Sequence, residues 1–237
     1  MIMKKLNFNS ISGIVAILGL FMTATACAPA GHNTLSRAEA NQGWILLFDG
    51  ETTDGWRGYN RDGFPEGWRV EDGTLYCTGS GGDVIYDEKF LNFHLMIDWR
   101  ISEGGNSGIF ILGQEVEGRP IWQTAPEIQL LDNDAHPNVN PDQFAPALYD
   151  LIAPSVQNTR PAGQWNTVEV ILDDGHLTIR QNGEDAVHTQ LGTPAWEAMV
   201  DESKFPVEIF GKLNPGFIGV QDHGDEVWFR NIKLRRL

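Results

Sequence analysis

The chain reads as an all-β protein, an antiparallel jelly-roll β-sandwich with one short helix. Three observations predict this: about eleven or twelve short apolar or alternating segments, Gly-, Asp- and Asn-rich turns between them, and a single run with helical start signals. The jelly roll is preferred because its two sheets can offer one face to a ligand; a closed barrel is the alternative. No repeat of fixed period is present, which argues against a propeller.

At the N-terminus, Lys4 and Lys5 precede an apolar run from Ile11 to Met22, then Ala24-Thr25-Ala26 ahead of Cys27. A charged start, an apolar stretch and small residues before a cysteine predict a bacterial lipoprotein signal peptide over residues 1–26, with the lipid on Cys27. The run falls short of the roughly 20 apolar residues of a membrane span. The expected location is therefore a membrane reached only through the lipid anchor, with the protein facing the periplasm or the cell surface. Residues 27–42 lack a hydrophobic period and read as a flexible tether, and residues 43–237 as a single sandwich domain.

The full chain has 17 Lys and Arg against 32 Asp and Glu; losing Lys4 and Lys5 leaves 15 against 32, a net charge of −17. So acidic a chain is poorly suited to phosphate backbones, and nucleic acid is excluded as a partner. With Cys27 lipidated, Cys77 has no intrachain partner, so stability comes from packing.

The elements follow in order. Trp44–Phe48 is a short apolar strand stopped by Asp49-Gly50. Trp68–Glu71 and Thr74–Thr78 flank Asp72-Gly73, a two-residue hairpin signal. Asp83–Tyr86 follows the break at Ser80-Gly81-Gly82. From Leu91 to Glu103 the alternation is clean, with Phe93, Leu95, Ile97, Trp99 and Ile101 on one face and His94, Met96, Asp98 and Arg100 on the other. Gly104-Gly105 leads into Asn106–Leu112, and Pro126–Asp132 is the next strand. Asp132 to Pro146 is a long irregular loop, a type that is usually functional or mobile. Ala147–Ile152 resumes the sheet. Trp165–Leu172, His176–Gln181 and Asp185–Leu191 are joined by turns at Asp173-Asp174-Gly175 and Asn182-Gly183. Thr193-Pro194 supplies an N-cap and a first-turn proline for the helix Ala195–Val200. Phe217–Asp222 and Glu226–Leu234 close the sheets.

Chemistry enters at Pro126–Asp132, where Glu127 and Gln129 share one strand face and Ile128 and Leu130 the other. An acid and an amide on an apolar strand need solvent or partners. His94, Asp98 and Arg100 share a face of the long strand, and Gln221 and His223 a face of the penultimate one. If these strands belong to one sheet with its apolar side inward, acid, imidazole, guanidinium and amide converge on the outside of the sandwich as an active or binding site. Solvated strand faces are the competing reading. A two-carboxylate glycosidase is disfavoured, because the next acid after Glu127, Asp132, lies five residues on and faces the other way in a regular strand. There is no Gly-x-Ser-x-Gly elbow and no Cys-x-x-Cys pair, and Cys77 reads as a small core residue. Asp132-Asn133-Asp134 resembles calcium-loop chemistry without the distal Glu. Trp56, Trp68 and Trp122 either stack on sugar rings or fill the core.

Eight motifs now fall in order: Leu47-Phe48-Asp49-Gly50 with Asp54-Gly55-Trp56, Gly105-Asn106-Ser107-Gly108-Ile109, Glu127-Ile128-Gln129-Leu130-Leu131-Asp132, Ala147-Leu148-Tyr149-Asp150, Trp165-Asn166, Asn182-Gly183, Gly219-Val220-Gln221-Asp222-His223-Gly224 and Trp228-Phe229-Arg230-Asn231-Ile232. Together they resemble the 3-keto-disaccharide hydrolase domain family, which has a concanavalin A-like jelly-roll fold. The resemblance runs from Trp44 to the C-terminus.

It implies an enzyme, hydrolase or lyase, acting on glycosides whose C3 hydroxyl a partner oxidoreductase has made a ketone. The ketone acidifies the C2 hydrogen; a base removes it, the enolate expels the C1 aglycone, and water adds back or the enone leaves. On this resemblance Glu127 or His223 is the base. Arg100, or a divalent ion held by Glu127 and His223, meets the enolate oxygen. Gln129, Gln221, Asp98 and Asn106 orient hydroxyls, Tyr149 donates a proton, and Trp122 lies against the sugar. No other cofactor is implied. The rival of another class is a non-catalytic carbohydrate-binding module.

Overall fold

The computed structural model describes residues 31–237 with the exception of residue 207. The expected signal peptide and the expected lipid site at Cys27 lie outside the described residues.

Among the described residues thirteen strands form two antiparallel sheets, the jelly-roll sandwich that the sequence predicts. In chain order they are β1 (Trp44–Leu46), β2 (Trp56–Gly58), β3 (Trp68–Glu71), β4 (Thr74–Cys77), β5 (Val84–Phe90), β6 (Phe93–Ile101), β7 (Asn106–Gly113), β8 (Glu127–Leu131), β9 (Asn166–Asp173), β10 (His176–Gln181), β11 (Glu184–Gln190), β12 (Gly216–Val220) and β13 (Val227–Arg236). One sheet runs β11-β10-β9-β6-β13-β4-β3, with β1 also pairing with β13; the other runs β2-β5-β12-β7-β8.

The alternation seen in the sequence of β6 is the alternation of burial: Phe93, Leu95, Ile97, Trp99 and Ile101 are buried and the residues between them half-buried. They meet Ile109 and Ile111 of β7, Ile128 and Leu130 of β8, and Ile218 and Val220 of β12 between the sheets. Burying side chains of this size contributes about 1.5–3 kcal/mol each. The outer face of the five-stranded sheet carries a second, smaller apolar cluster. There Ile85, Phe110 and Phe217 are covered by Ile121 and Ala125, with Ile121 in the 3₁₀ turn Ile121–Gln123. A floor packed on both sides is rigid, and the rest of that outer face is left for polar groups.

Two elements differ from the sequence expectation, and a third matches it. The tether is docked from its described part onward. Ser36 and Glu39 form a capping box on a short helix, α1 (Arg37–Asn41). Asn33 and Asn231 exchange backbone-to-side-chain hydrogen bonds of 2.6 and 2.8 Å. Ala147–Ile152 is a turn, closed by Leu148 N–H to Ile152 O at 3.1 Å and by Asp150 at φ 59°. The helix predicted after Thr193 is present as α2 (Pro194–Asp201), with the Thr193 hydroxyl accepting Trp196 N–H at 3.2 Å.

Candidate active site

Four strands of the five-stranded sheet build the site. Register places Gly108 of β7 opposite Gln129 of β8 and Phe110 opposite Glu127. Gln221, just past β12, donates its backbone N–H to Gly108 O at 2.9 Å. Asp83 stands one residue before Val84, which pairs with Val220. Because side chains alternate between faces, Asp83, Gln221, Asn106, Glu127 and Gln129 all emerge on the outer face. Gly108 is needed there. A Cβ at this position would fall on Glu127 Oε1 and lie 2.7 Å from its Cγ and 2.8 Å from its Cδ. The missing side chain is what lets the Glu127 carboxyl lie across β7.

These residues open onto a cavity of about 430 Å³, completed by His223, Pro120, Trp122, Tyr149, Lys204 and Phe205. That volume is within the range of small-molecule sites. Trp122 meets Phe205 edge-on at 6.5 Å, and Phe205 stacks on Phe210 at 4.1 Å, so the apolar wall is braced from behind. Tyr149 is brought in by the 147–152 turn, its N–H bonded to Glu127 O at 2.9 Å along β8.

The electrostatics follow from burial. Glu127 is 8 % exposed. Burial, then the charge of Asp83, pushes its carboxyl up to about 8 against the opposing effect of Lys204. At pH 7 Glu127 is mainly a neutral acid. Burial likewise pushes Asp83 up to about 6, although its Oδ1 accepts Asp222 N–H at 3.0 Å. Asp222 accepts N–H groups from Gly81 and Gly82 and from Gly224, clasping the loop before β5 to the loop carrying His223. His223 Nε2 lies 3.5 Å from Asn106 Nδ2 at the exposed rim.

The side-chain oxygens of Asn106, Gln129 and Gln221 are buried and have no hydrogen-bond partner in the protein. Each orphan acceptor costs about 1–3 kcal/mol unless a ligand donor meets it. Three of them in one cavity fit a molecule rich in hydroxyl donors.

Of the residues picked from the sequence, the cavity brings together Glu127, Gln129, Gln221, His223, Asn106, Tyr149 and Trp122. Arg100 and Asp98 are elsewhere. Both lie on β6 in the eight-stranded sheet. Arg100 sits over the rings of Trp228 and Trp165 at 4.4 and 5.1 Å. Asp98 accepts hydrogen bonds of 2.6 Å from Thr167 and from Asn231. Alternation shows which residues share a strand face but not which sheet the strand joins. Trp56 and Trp68 are core residues. Cys77 is buried, and burial pushes its thiol up to about 12, which leaves it unreactive.

Five residues lining the cavity were not among the predicted site residues: Asp83, Pro120, Lys204, Phe205 and Asp222. Asp83 shares a face with Ile85 in its strand, a signal hidden by the glycines before it. Lys204 lies in a loop without periodicity, and no sequence signal points to it. A divalent ion would draw on Glu127 and His223. Among the described residues no group of three or more His, Cys, Asp or Glu side chains is arranged to hold a metal. The donor set among the described residues does not make a metal site.

A β-sandwich whose outer sheet face carries a buried acid and orphaned amide acceptors, with a loop lysine beside them, has a site suited to a hydroxyl-rich ligand. Residues 43–235 match the family model of the 3-keto-alpha-glucoside-1,2-lyase-like domain, and the chain belongs to that family. It is 40% identical over 228 residues to a 3-keto-disaccharide hydrolase of Bacteroides thetaiotaomicron, covering 82% of this chain and 79% of the relative. A crystallised candidate glycosyl hydrolase from Parabacteroides distasonis superposes with a TM-score of 0.82 at 31% identity, over 87% of this chain and 100% of the other. A second one from the same organism has a TM-score of 0.66 at 24% identity, over 82% and 99%, a likeness of fold. The protein is an enzyme that cleaves glycosidic bonds, which sets aside the non-catalytic binding module.

Proposed function

We propose that the protein cleaves 3-keto-glycosides by removing the proton at C2 and expelling the aglycone from C1. The observation that carries this reading is the buried Glu127 carboxyl lying over Gly108 in a cavity whose amide oxygens lack donors. The amides of Asn106, Gln129 and Gln221 accept from the sugar hydroxyls, and Trp122 and Phe205 form the apolar wall.

His223 at the rim takes the C2 proton, and the C–H electron pair moves into the C2–C3 bond as the carbonyl becomes an enolate. The enolate collapses, the C1–O bond breaks, and Glu127 gives its proton to the departing oxygen. Water then adds to C1 of the enone. The Glu127 carboxylate takes the water proton while His223 returns its proton to C2, so both groups end as they began. If the enone leaves before water adds, the same steps make a lyase. The ketone makes the two-carboxylate arrangement of ordinary glycosidases unnecessary. On this reading a sugar 3-oxidoreductase supplies the substrate, and the N-terminal cysteine motif supports a lipid anchor outside the cytoplasm as the location.

The test is incubation with a 3-keto-glucoside bearing a chromogenic aglycone. Wild type releases the aglycone, and folded E127Q does so at least about 100-fold more slowly. Equal rates in the two proteins, or release from the unoxidised glucoside at the same rate, would overturn the assignment.

A further inference from the structure

We propose that the Lys204 ammonium is the charge that stabilises the enolate oxygen, and that it acts without forming a covalent bond to the ketone. The inference rests on the reading of the cavity as one that deprotonates beside a carbonyl. Such a site needs a positive group at the C3 oxygen, and Arg100 faces outward from the opposite sheet. Among the described residues lining the cavity, Lys204 is the one Lys or Arg.

Its position is fixed relative to Glu127. Lys204 Nζ lies 2.7 Å from Asp150 Oδ2 and donates toward the Tyr149 hydroxyl at 3.5 Å. It also sits 4.5 Å from the Tyr149 ring centroid. Asp150 is held in turn by Gln143 Nε2 at 2.7 Å and by its own N–H to Asp142 O at 3.0 Å. Tyr149 is bonded through its backbone to Glu127 itself. The ammonium and the acid are thus anchored to the same strand. An ammonium has three N–H donors; with two directed at Asp150 and Tyr149 and its side chain 47% exposed, the third is left for a bound ketone.

A lysine beside a ketone has a second possible chemistry, in which the free amine attacks the carbonyl, loses water and forms an iminium ion. That requires an amine depressed by burial or by another cation. Here the opposite holds. Burial alone would lower Lys204, but the Asp150 carboxylate and the Tyr149 hydroxyl outweigh it and raise the group above its ordinary value. The ammonium keeps its protons and donates a hydrogen bond to the C3 oxygen as negative charge gathers there.

A suitable probe is 3-keto-1,5-anhydroglucitol, which has no aglycone to lose, so that removal of its C2 hydrogen is read as exchange at C2, with the C4 hydrogen on the other side of the ketone as the internal comparison. In D₂O, wild type exchanges the C2 hydrogen. Folded K204M or K204Q exchanges it about 100-fold more slowly, with probe binding changed by less than threefold. K204R retains more activity than either, because it keeps the charge. Borohydride added during turnover leaves the wild-type mass unchanged. Exchange by K204M at the wild-type rate would overturn the proposal, and so would a reduced adduct trapped on Lys204. If wild type itself neither exchanges the probe nor cleaves a 3-keto-glucoside, the proposed function fails first, which separates the two outcomes.

Discussion

Gly108→Ala is the sharpest single perturbation of this site. The added methyl falls on the Glu127 carboxyl and within 2.7–2.8 Å of its Cγ and Cδ. Carbon atoms pack at about 3.5–4.0 Å, so Glu127 must retreat by about 1 Å. Overpacking of this kind costs about 1–3 kcal/mol. Ala recovers about 0.5–1 kcal/mol over Gly within a strand, leaving a net loss of about 0–2.5 kcal/mol. The protein still folds, because what gives way is the far end of a side chain. A misplacement of 1 Å at a catalytic group costs about 100-fold in rate. G108A is therefore expected to lose about two orders of magnitude in kcat/KM on a 3-keto-glucoside while its melting temperature falls by a few degrees. Adding G108A to E127Q costs little more activity, because both changes remove the same group. A G108A enzyme within threefold of wild type, or equal losses from G108A in the wild-type and E127Q backgrounds, would refute the close approach of Glu127 to β7 as the basis of activity.

Three further outcomes follow from the same geometry. With Glu127 acting as an acid at about 8, kcat/KM falls as pH rises through about 8. D83N removes a negative neighbour while keeping an acceptor for Asp222 N–H, and so moves that limb to lower pH; an unmoved limb contradicts the coupling. Glu127 is raised from an ordinary 4.5, so the folded protein holds a proton that the unfolded chain has lost. This group's stability is full below pH 4.5 and drains away between about 4.5 and 8. E127Q is expected to melt above wild type at pH 8, by an amount up to the order of a few kcal/mol, with the gap closing at pH 4; a gap independent of pH would contradict the buried acid. Finally, R100A, which removes a guanidinium lying over two indoles, costs about 1–2 kcal/mol in a denaturant melt and leaves kcat/KM within twofold; a large activity loss in folded R100A would restore its place in the site.

The strand faces of the site were legible because period-2 alternation is local. Glu127 with Gln129, and Gln221 opposite Val220, could be placed on faces before any pairing was known. Sheet membership is not local. The same alternation that marked Asp98 and Arg100 as polar gave no hint that β6 pairs with β9 and β13 rather than with a strand of the site. Lys204 escaped notice because a loop held by an ion pair to Asp150 has no period to read. The 147–152 segment has the composition of a strand, but its backbone bonds close on themselves and on β8. The capping box at Ser36 and Glu39 was available as a sequence signal, yet a helix of five residues burying none of its own side chains leaves no hydrophobic pattern. Gly108, conspicuous in a glycine-rich motif, acquires its meaning only from the carboxyl lying over it.

The most direct measurement is a comparison of 3-keto-glucosides carrying hydrogen or deuterium at C2, with aglycone release followed in both. Removal of that hydrogen before the glycosidic bond breaks predicts slower release from the deuterated substrate, and incorporation of solvent deuterium at C2 of the product from the unlabelled one. Equal rates together with retention of the original C2 hydrogen would mean that the bond is broken by direct displacement at C1, and the account of this cavity would be wrong.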